Sequence, residues 1–191
     1  MYDAFRYYSE RLDGTELENF KDFDGKEIVL PQEFYYMTCH RQENTDTDEK
    51  LDGIFSAMNS LDAPTIYPVH PRNHDRAERL CKKMGYKNII LTLPVGYKSS
   101  LALVNKAKKI VTDSGGVQRE AFFAGKPCVT VLDFVVWPET MHNGCNRLAK
   151  PQKEDILEKL NQTVEFEQDY LPFGDGHSAE KIVELIDEYF A

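Results

Sequence analysis

The sequence lacks the features by which nucleic-acid-binding, membrane-spanning and zinc-binding proteins are usually identified. Lysine and arginine number 23 against 32 aspartate and glutamate residues, and the net charge of -9 argues against nucleic acid or an anionic membrane as a partner. No apolar run approaches the roughly 18 residues of a membrane span. The four cysteines stand far apart, without CxxC or Cys/His spacing. We therefore expect reduced thiols and a cytoplasmic location.

The chain instead alternates short apolar runs with longer amphipathic stretches, which is typical of βαβ units and a parallel sheet. Strands are predicted at 34–39, 65–70, 88–93, 109–113, 128–132 and, more weakly, 147–149. Helices are predicted at 48–60, 73–84, 98–107, 115–124, 152–161 and 178–190. Right-handed crossovers would wind these elements into an α/β fold, an open, Rossmann-like parallel sheet with helices on both faces.

The first 30 residues fit this pattern poorly. A helix is predicted at 2–12, followed by an acidic, glycine-punctuated stretch that reads as a connector. We expect residues 1–30 to form a leading helix and connector, and 31–191 to form the nucleotide-binding domain with its C-terminal helix. In that last helix, the apolar stripe of Ile182, Ile186 and Phe190 is most simply core, although it could equally dock on a neighbouring domain.

Polar residues follow three of the predicted strands and should meet at one edge of the sheet, because the carboxyl ends of parallel strands share an edge. They comprise "HRQEN" at 40–44, "HPRNHDR" at 70–76 and "DSGGVQRE" at 113–120. A histidine followed by an arginine, as at His40 and Arg41, can donate a proton or bind phosphate, or it can belong to an ordinary surface loop. His70 can contact an anion or only orient the turn before Pro71.

The turn "DSGG" is the strongest local signal at this edge. Asp113 or Ser114 can cap the next helix, and Gly115 and Gly116 leave backbone N–H groups free to bind a phosphate at the helix N-terminus. The carboxylate of Glu120, about one turn further on, can accept hydrogen bonds from two ribose hydroxyls. The alternative is a capped βα turn whose glycines only permit close packing.

Taken in order, "TCHRQEN", "VHPRNHDR", "TDSGGVQREAFFAGKP", "WPET" and "PFGDG" resemble the carboxyl-terminal half of the non-hydrolysing UDP-N-acetylglucosamine 2-epimerases. The resemblance implies one half of a glycosyltransferase-B-type fold, with the nucleotide sugar in the cleft between two domains. It implies that the family needs neither a metal nor a redox cofactor. The expected partners are a UDP-sugar, the missing amino-terminal domain and, at full length, a second copy in a homodimer.

The resemblance also implies roles for individual residues. His40 matches a catalytic or phosphate-contacting histidine, and Glu120 matches the residue that holds the ribose. The remaining expected substrate-binding residues are Arg41, Glu43, His70, Ser114, Gly115 and Gly116. The family reaction eliminates UDP across C1 and C2 to give a glycal and adds it back with the proton on the other face. A fragment without the amino-terminal half should bind nucleotide without epimerising it.

The chain departs from the family pattern at two places. Leu132 and Trp137 stand where arginines are expected, and Val95 and Ser100 replace the glutamine and phenylalanine often found near the uracil base. An indole platform suggests a different sugar, such as a diacetamido or uronate derivative, or else simple core packing. A glycosyltransferase donor domain and a non-catalytic sugar-nucleotide sensor remain alternative functions.

Overall fold

A six-stranded parallel sheet forms the centre of the structure, a computed structural model that describes residues 1–190. In chain order the strands are β1 (Phe20–Lys21), β2 (Glu27–Ile28), β3 (Tyr35–Thr38), β4 (Thr65–Pro68), β5 (Ile89–Thr92), β6 (Ile110–Thr112), β7 (Cys128–Val131) and β8 (Asn146–Ala149). The central sheet has the order β5-β4-β3-β6-β7-β8. All six predicted strands are confirmed, and the weak sixth is a full edge strand paired with β7 over four residues.

The strand order places a topological switch point between β3 and β6. The chain moves outward from β3 to β4 and β5, then returns to add β6 on the other side of β3. The helices that follow β3 and β6 therefore leave on opposite faces, and a crevice opens between the two carboxyl ends. The residues after these strands are His40 and Asp113, so this topology brings the two predicted clusters together.

Eight α-helices flank the sheet within the described residues. They are α1 (Tyr2–Ser9), α2 (Gln42–Thr45), α3 (Asp48–Asn59), α4 (His74–Met84), α5 (Tyr97–Lys106), α6 (Gly115–Phe123), α7 (Lys153–Asn161) and α8 (Ser178–Phe190). Short 3-10 turns lie at Thr15–Leu17, Pro71–Asn73 and Pro138–Gly144. No helix of residues 1–190 is both long and apolar enough to cross a membrane.

The two faces of the sheet carry separate apolar cores because neighbouring side chains of a strand point in opposite directions. Met37 of β3 packs with α3, α4 and α7, whereas Tyr36 packs with α5 and α6. Val111 and Ile110 of β6 divide in the same way. The Rossmann-like arrangement predicted from the sequence, with helices on both faces, is therefore confirmed.

The segment predicted as a connector contains a small hairpin. β1 and β2 pair antiparallel, and Gly25 takes the left-handed φ of 78° that the turn requires. The Lys21 carbonyl accepts a hydrogen bond of 2.9 Å from the N–H of Leu93, which fastens the hairpin beside the end of β5. Strands of two residues leave too short a pattern to be recognised from sequence.

The last helix is not part of the core. None of its residues is buried, and the apolar side chains of its stripe are between 50% and 83% exposed: Ile182, Val183, Leu185, Ile186, Tyr189 and Phe190. Its first turn is tied to α1, because Asp3 Oδ2 accepts a 2.7 Å hydrogen bond from the N–H of Ala179 and Arg6 donates one of 2.7 Å to the Asp175 carbonyl. The core interpretation of this stripe is therefore wrong for the described chain.

Candidate functional site

The carboxylate of Asp113 joins the loops that follow β3 and β6. It accepts hydrogen bonds from the backbone N–H groups of His40, at 2.9 Å, and Arg41, at 2.8 Å. The side-chain amide of Asn44 approaches the same oxygen at 3.3 Å and donates to the Val131 carbonyl at 2.8 Å. Asp113 is only 1% exposed, so these donors replace the water that an ionised carboxylate would otherwise need. The sequence pattern indicated Asp113 only as a helix cap.

His40 lies directly at this junction. Its Nδ1 is 3.4 Å from Asp113 Oδ1, and its ring is 44% exposed, so the opposite edge of the imidazole is open to a ligand. The ring of His70 lies 6.2 Å away between centroids. His70 Nδ1 accepts a hydrogen bond of 3.2 Å from the N–H of Arg72, which makes Nε2 the protonated nitrogen of the neutral ring. The two predicted histidines are thus brought together.

One backbone carbonyl also joins the His40 loop to the turn that contains His70. The Cys39 carbonyl accepts hydrogen bonds from the Tyr67 hydroxyl, at 2.6 Å, and from the side-chain amide of Asn73, at 3.1 Å. Both donors are buried, so this contact holds the His70 turn against the His40 loop. No local sequence signal indicates a contact of this kind.

The N-terminus of α6 is open at the glycine turn. Ser114 caps the helix, because its Oγ accepts from the N–H of Val117 at 3.4 Å. Within residues 1–190, the backbone N–H groups of Gly115 and Gly116 have no hydrogen-bond acceptor. These free donors and the positive end of the helix dipole together make an anion-binding position.

The two glycines meet different surroundings. A Cβ on Gly115 would lie 3.1 Å from Trp137 Nε1 and 3.3 Å from Val136 Cγ1, so this glycine permits close packing of the following loop. A Cβ on Gly116 would make only ordinary contacts, the nearest at 3.5 Å from Ser114 Oγ. Neither has the positive φ that favours glycine. The packing explanation therefore applies to Gly115 and leaves Gly116 free to face a ligand.

Glu120 lies on the side of α6 that faces α5. It is 6% exposed, and this burial raises the pKa of its carboxyl group, while the Tyr97 hydroxyl and the Arg119 guanidinium partly offset the shift. Partial burial, with Glu120 nearby, raises the pKa of Tyr97 to about 12. Sequence reasoning missed Tyr97, although it begins the helix after β5 and the rule that selected His40 and His70 applies to it.

A cavity of about 190 Å³ opens at the rim beside these groups. Its lining includes His40, His70 and Ser114, together with Val95 and Ser100 on the side of β5. Ser100 is hydrogen-bonded to the Tyr36 hydroxyl at 2.9 Å. A second, more aromatic cavity of about 250 Å³ lies at the far end of α6, between Phe122 and Tyr170. We assign the rim cavity to the site because it adjoins the open helix terminus and both histidines.

The arginines differ in whether a carboxylate lies close to them. Arg6, Arg11, Arg76 and Arg79 each have a carboxylate within 4.0 Å. Within the described part of the chain, no carboxylate comes that close to the guanidinium groups of the rim arginines Arg41, Arg72 and Arg119. Three arginines without a close ion-pair partner in the described chain therefore lie at the rim, on a protein whose net charge is -9. Such an arrangement suits an anionic ligand.

Glu43 differs from the other predicted site residues. It is exposed on α2, and its only hydrogen bond in the described structure is through its backbone carbonyl, which accepts from Lys50 Nζ at 2.8 Å. Among residues 1–190, no group of three His, Cys, Asp or Glu side chains is arranged to hold a metal ion.

The chain matches the family model described as UDP-N-acetylglucosamine 2-epimerase over residues 1–187. It is 43% identical to the UDP-N-acetylglucosamine 2-epimerase homolog of Methanococcus maripaludis, covering 97% of this chain and 52% of that protein. It is 38% identical to the UDP-2,3-diacetamido-2,3-dideoxy-D-glucuronate 2-epimerase of Pseudomonas aeruginosa, covering 80% of this chain and 44% of that protein.

A solved structure agrees with the sequence comparisons. The Methanocaldococcus jannaschii UDP-GlcNAc 2-epimerase, crystallised with UDP-GlcNAc and UDP, superposes with a TM-score of 0.77 at 31% identity, covering 98% of this chain and 52% of that one. The chain thus spans about half the length of its relatives, consistent with the carboxyl-terminal half that the motifs indicated. Motifs, sheet topology and rim geometry lead to one conclusion: the chain belongs to the UDP-N-acetylglucosamine 2-epimerase family.

Proposed function

We propose that this chain is the UDP-binding half of a UDP-N-acetylhexosamine 2-epimerase that interconverts UDP-GlcNAc and UDP-ManNAc. The observation that carries the proposal is the open N-terminus of α6, where the N–H groups of Gly115 and Gly116 lack acceptors among residues 1–190, beside a cavity lined by His40, His70 and Ser114. A relative of the same fold was crystallised with UDP-GlcNAc and UDP. A diphosphate is the part of such a ligand that a helix N-terminus recognises.

Each part of the nucleotide has a matching group at the rim. The N–H groups of Gly115 and Gly116, with the Ser114 cap, bind the diphosphate, and Arg41 adds a cation that has no internal partner. Glu120 accepts hydrogen bonds from the ribose hydroxyls. The uracil base enters the cavity beside Val95 and Ser100.

The reaction requires a leaving diphosphate to be stabilised and then retained. A base removes the proton from C2 while the C1–O bond breaks and its electron pair leaves with UDP, which gives a glycal. Re-addition of UDP restores the bond, and a proton returns to C2 on the opposite face. Charge develops on the diphosphate during elimination, so fixed N–H donors, Arg41 and the catalytic His40 lower that barrier. His70 lines the same rim cavity.

The whole enzyme needs a second half, and α8 offers a surface for it. The first turn of α8 is fixed to α1, and the side chains of its apolar stripe are at least half exposed. We propose that this stripe packs on the amino-terminal half, which supplies the groups that move the C2 proton. The resemblance further implies a cytoplasmic homodimer, and the four buried free thiols agree with a reducing compartment.

Calorimetric titration of this chain with UDP tests the binding proposal, with AMP and inorganic phosphate as comparison ligands. Saturable binding selective for UDP is expected, and Ser114→Ala combined with Glu120→Ala should abolish it. Thr47→Ala is the matched control, because Thr47 caps α3 with the same 3.4 Å geometry away from the rim cavity. Binding that survives the double variant, or equal binding of AMP, would contradict the assignment.

The epimerase itself is tested on the full-length enzyme. Incubation with UDP-GlcNAc in deuterated water should yield the manno epimer with deuterium at C2, because the proton is lost to solvent-exchangeable groups and returned. Transfer of the sugar to an acceptor without epimer formation would instead identify a glycosyltransferase of the same fold.

A further inference from the structure

A chain of hydrogen-bonding groups leads from the glycine turn to the wall of the rim cavity. The N–H of Ser114 donates to Thr112 Oγ1 at 2.9 Å. Thr112 Oγ1 lies 2.6 Å from Thr38 Oγ1, a distance at which either hydroxyl could be the donor. The two threonines are paired across the neighbouring strands β6 and β3. Thr38 lines the rim cavity together with His40 and Ser114.

Burial determines which of the two hydroxyls donates. Thr112 is fully buried, and its only other partner within the described chain is the N–H of Ser114, which is itself a donor. If Thr38 donated to Thr112, the Thr112 proton would be left without an acceptor, which is costly for a buried group. If Thr112 donates instead, its proton and its oxygen are both paired. The hydrogen bonds therefore run from Ser114 through Thr112 to Thr38.

This direction leaves Thr38 with a proton to donate. Its oxygen accepts from Thr112, and its own proton has no hydrogen-bond acceptor among residues 1–190. The side chain is half-buried and lines the rim cavity, so a ligand in that cavity can supply the acceptor. A hydroxyl that already accepts a hydrogen bond is a stronger donor, because successive bonds in a chain polarise one another.

The neighbours of Thr38 indicate what kind of acceptor fits. Ser114 lines the same cavity and caps the helix whose first N–H groups, those of Gly115 and Gly116, are free within the described structure. Backbone N–H groups and a directed hydroxyl together form a set of donors. A phosphate offers several acceptor oxygens and negative charge, whereas a sugar hydroxyl or an amide brings a donor of its own. The anionic part of the ligand is therefore the best match.

We propose that Thr38 is a further diphosphate-binding residue, and that Thr112 is the positioning residue that directs its proton. The inference rests on the proposed UDP site and deepens it, because it assigns one phosphate contact to a hydroxyl on β3, outside the α6 terminus. Thr112 also links the two contacts, since its oxygen holds the N–H of Ser114 while its proton holds Thr38.

Calorimetric titration of this chain with three ligands tests the assignment. They are UDP, inorganic pyrophosphate as the anionic part alone, and uridine as the nucleoside alone. Thr38→Val keeps the shape of the side chain and removes the hydroxyl. It should weaken UDP and pyrophosphate binding about 10-fold or more, because a hydrogen bond to a charged group is stronger than one between neutral groups. Uridine affinity should stay nearly unchanged.

Further variants separate the hydrogen bond from a packing effect. Thr38→Ala should give the same loss, which would exclude a clash of the valine methyl group as its cause. Thr38→Ser keeps a hydroxyl and should retain most of the affinity for pyrophosphate. Thr112→Val should also weaken UDP and pyrophosphate, because it frees the Thr38 hydroxyl and the N–H of Ser114 together, and Thr112→Ser should restore both. Unchanged uridine affinity in each variant reports that the site is still folded.

Thr65→Val is the matched control. Thr65 is a fully buried strand threonine whose hydroxyl donates to the Met58 carbonyl at 3.4 Å, and it is not among the described residues that line the rim cavity. All three affinities should be unchanged in this variant. Pyrophosphate and UDP affinities that persist in Thr38→Val, or an equal loss for uridine, would overturn the inference while UDP binding still stands. Absence of UDP binding by the unmodified chain would overturn the proposed function, and this inference with it.

Discussion

Asp113 and Ser114 are adjacent residues that could each cap a helix, yet they have different structural roles. Ser114 caps α6, whereas the Asp113 carboxylate accepts the backbone N–H groups of His40 and Arg41, 73 and 72 positions away in the chain. Removing this carboxylate would leave buried donors unsatisfied, which typically costs about 1–3 kcal/mol each. The position of His40 thus depends on a residue whose local pattern suggests only a cap.

Glu120 provides a prediction about pH. Burial raises the pKa of its carboxyl group in the folded protein above the unfolded value, which is near 4.5. At pH values between the two, the folded protein binds more protons than the unfolded chain. Stability attributable to this group therefore falls as pH rises through that window, with a limiting slope of about 1.4 kcal/mol per pH unit. Glu120→Gln removes the penalty and should be more stable than the unmodified chain at pH 7.

Urea denaturation at pH 7 and at pH 4 measures this effect. The advantage of Glu120→Gln should be present at pH 7 and largely absent at pH 4, where both side chains are neutral. UDP affinity should fall at least about 10-fold, because the amide is a weaker acceptor for the ribose hydroxyls. Glu184→Gln, exposed on α8, serves as the control and should leave both quantities nearly unchanged. A destabilised Glu120→Gln at pH 7 would contradict the buried-charge explanation.

At the scale of elements, α6 and α8 show how similar helices can differ in purpose. α6 packs Val117 and Ala121 into the core and presents an open N-terminus to the rim. α8 has a continuous apolar stripe with no buried residue, held only through its first turn. The proposed explanation for a strongly amphipathic helix with no buried residue is a partner surface outside the described residues.

Substitution on α8 tests whether the stripe is free. Ile182→Asp combined with Ile186→Asp should change the melting temperature of this chain by no more than about 2–4 °C, because each exposed substitution usually contributes within about 0.5 kcal/mol. The same double variant should prevent assembly with a separately expressed amino-terminal half, measured by size-exclusion chromatography. Ile156→Asp on α7, where the side chain is fully buried, is the contrasting control and should destabilise by several kcal/mol. A large loss of stability in the α8 variant would show that the helix packs on this chain.

At the scale of the whole molecule, two apolar cores on one sheet make a scaffold on which the rim loops are held. Ligand binding to such a preformed site should stabilise the folded state by mass action. At UDP concentrations near 100 times Kd, the gain is about 2.7 kcal/mol, which raises Tm by roughly 5–10 °C for a domain of this size. Differential scanning calorimetry with UDP and with AMP at equal concentration measures it. Equal shifts with both nucleotides would argue against a uridine-selective site.

Much of the fold could be predicted from the sequence because its determinants are local and periodic. Runs of five or six residues placed five strands of the main sheet, a weaker run of three residues indicated the sixth, and their order of appearance indicated parallel crossovers. The β1–β2 hairpin escaped prediction because two-residue strands carry no period. The exposure of α8 escaped it because an amphipathic stripe indicates burial without indicating the surface that covers it.

The candidate site, like the fold, could be predicted only in part from the sequence. The sequence by itself determined which residues follow the strands, and therefore that His40, His70, Ser114 and Glu120 share one edge. Only the tertiary structure decided that Asp113 clamps the His40 loop, that Tyr97 approaches Glu120, and that Arg119 stacks on Trp137 beside Gly115. The physical reason is distance along the chain. Periodicity and capping act between near neighbours, whereas a hydrogen bond or a stacked pair between separate loops exists only after the sheet has brought their ends together.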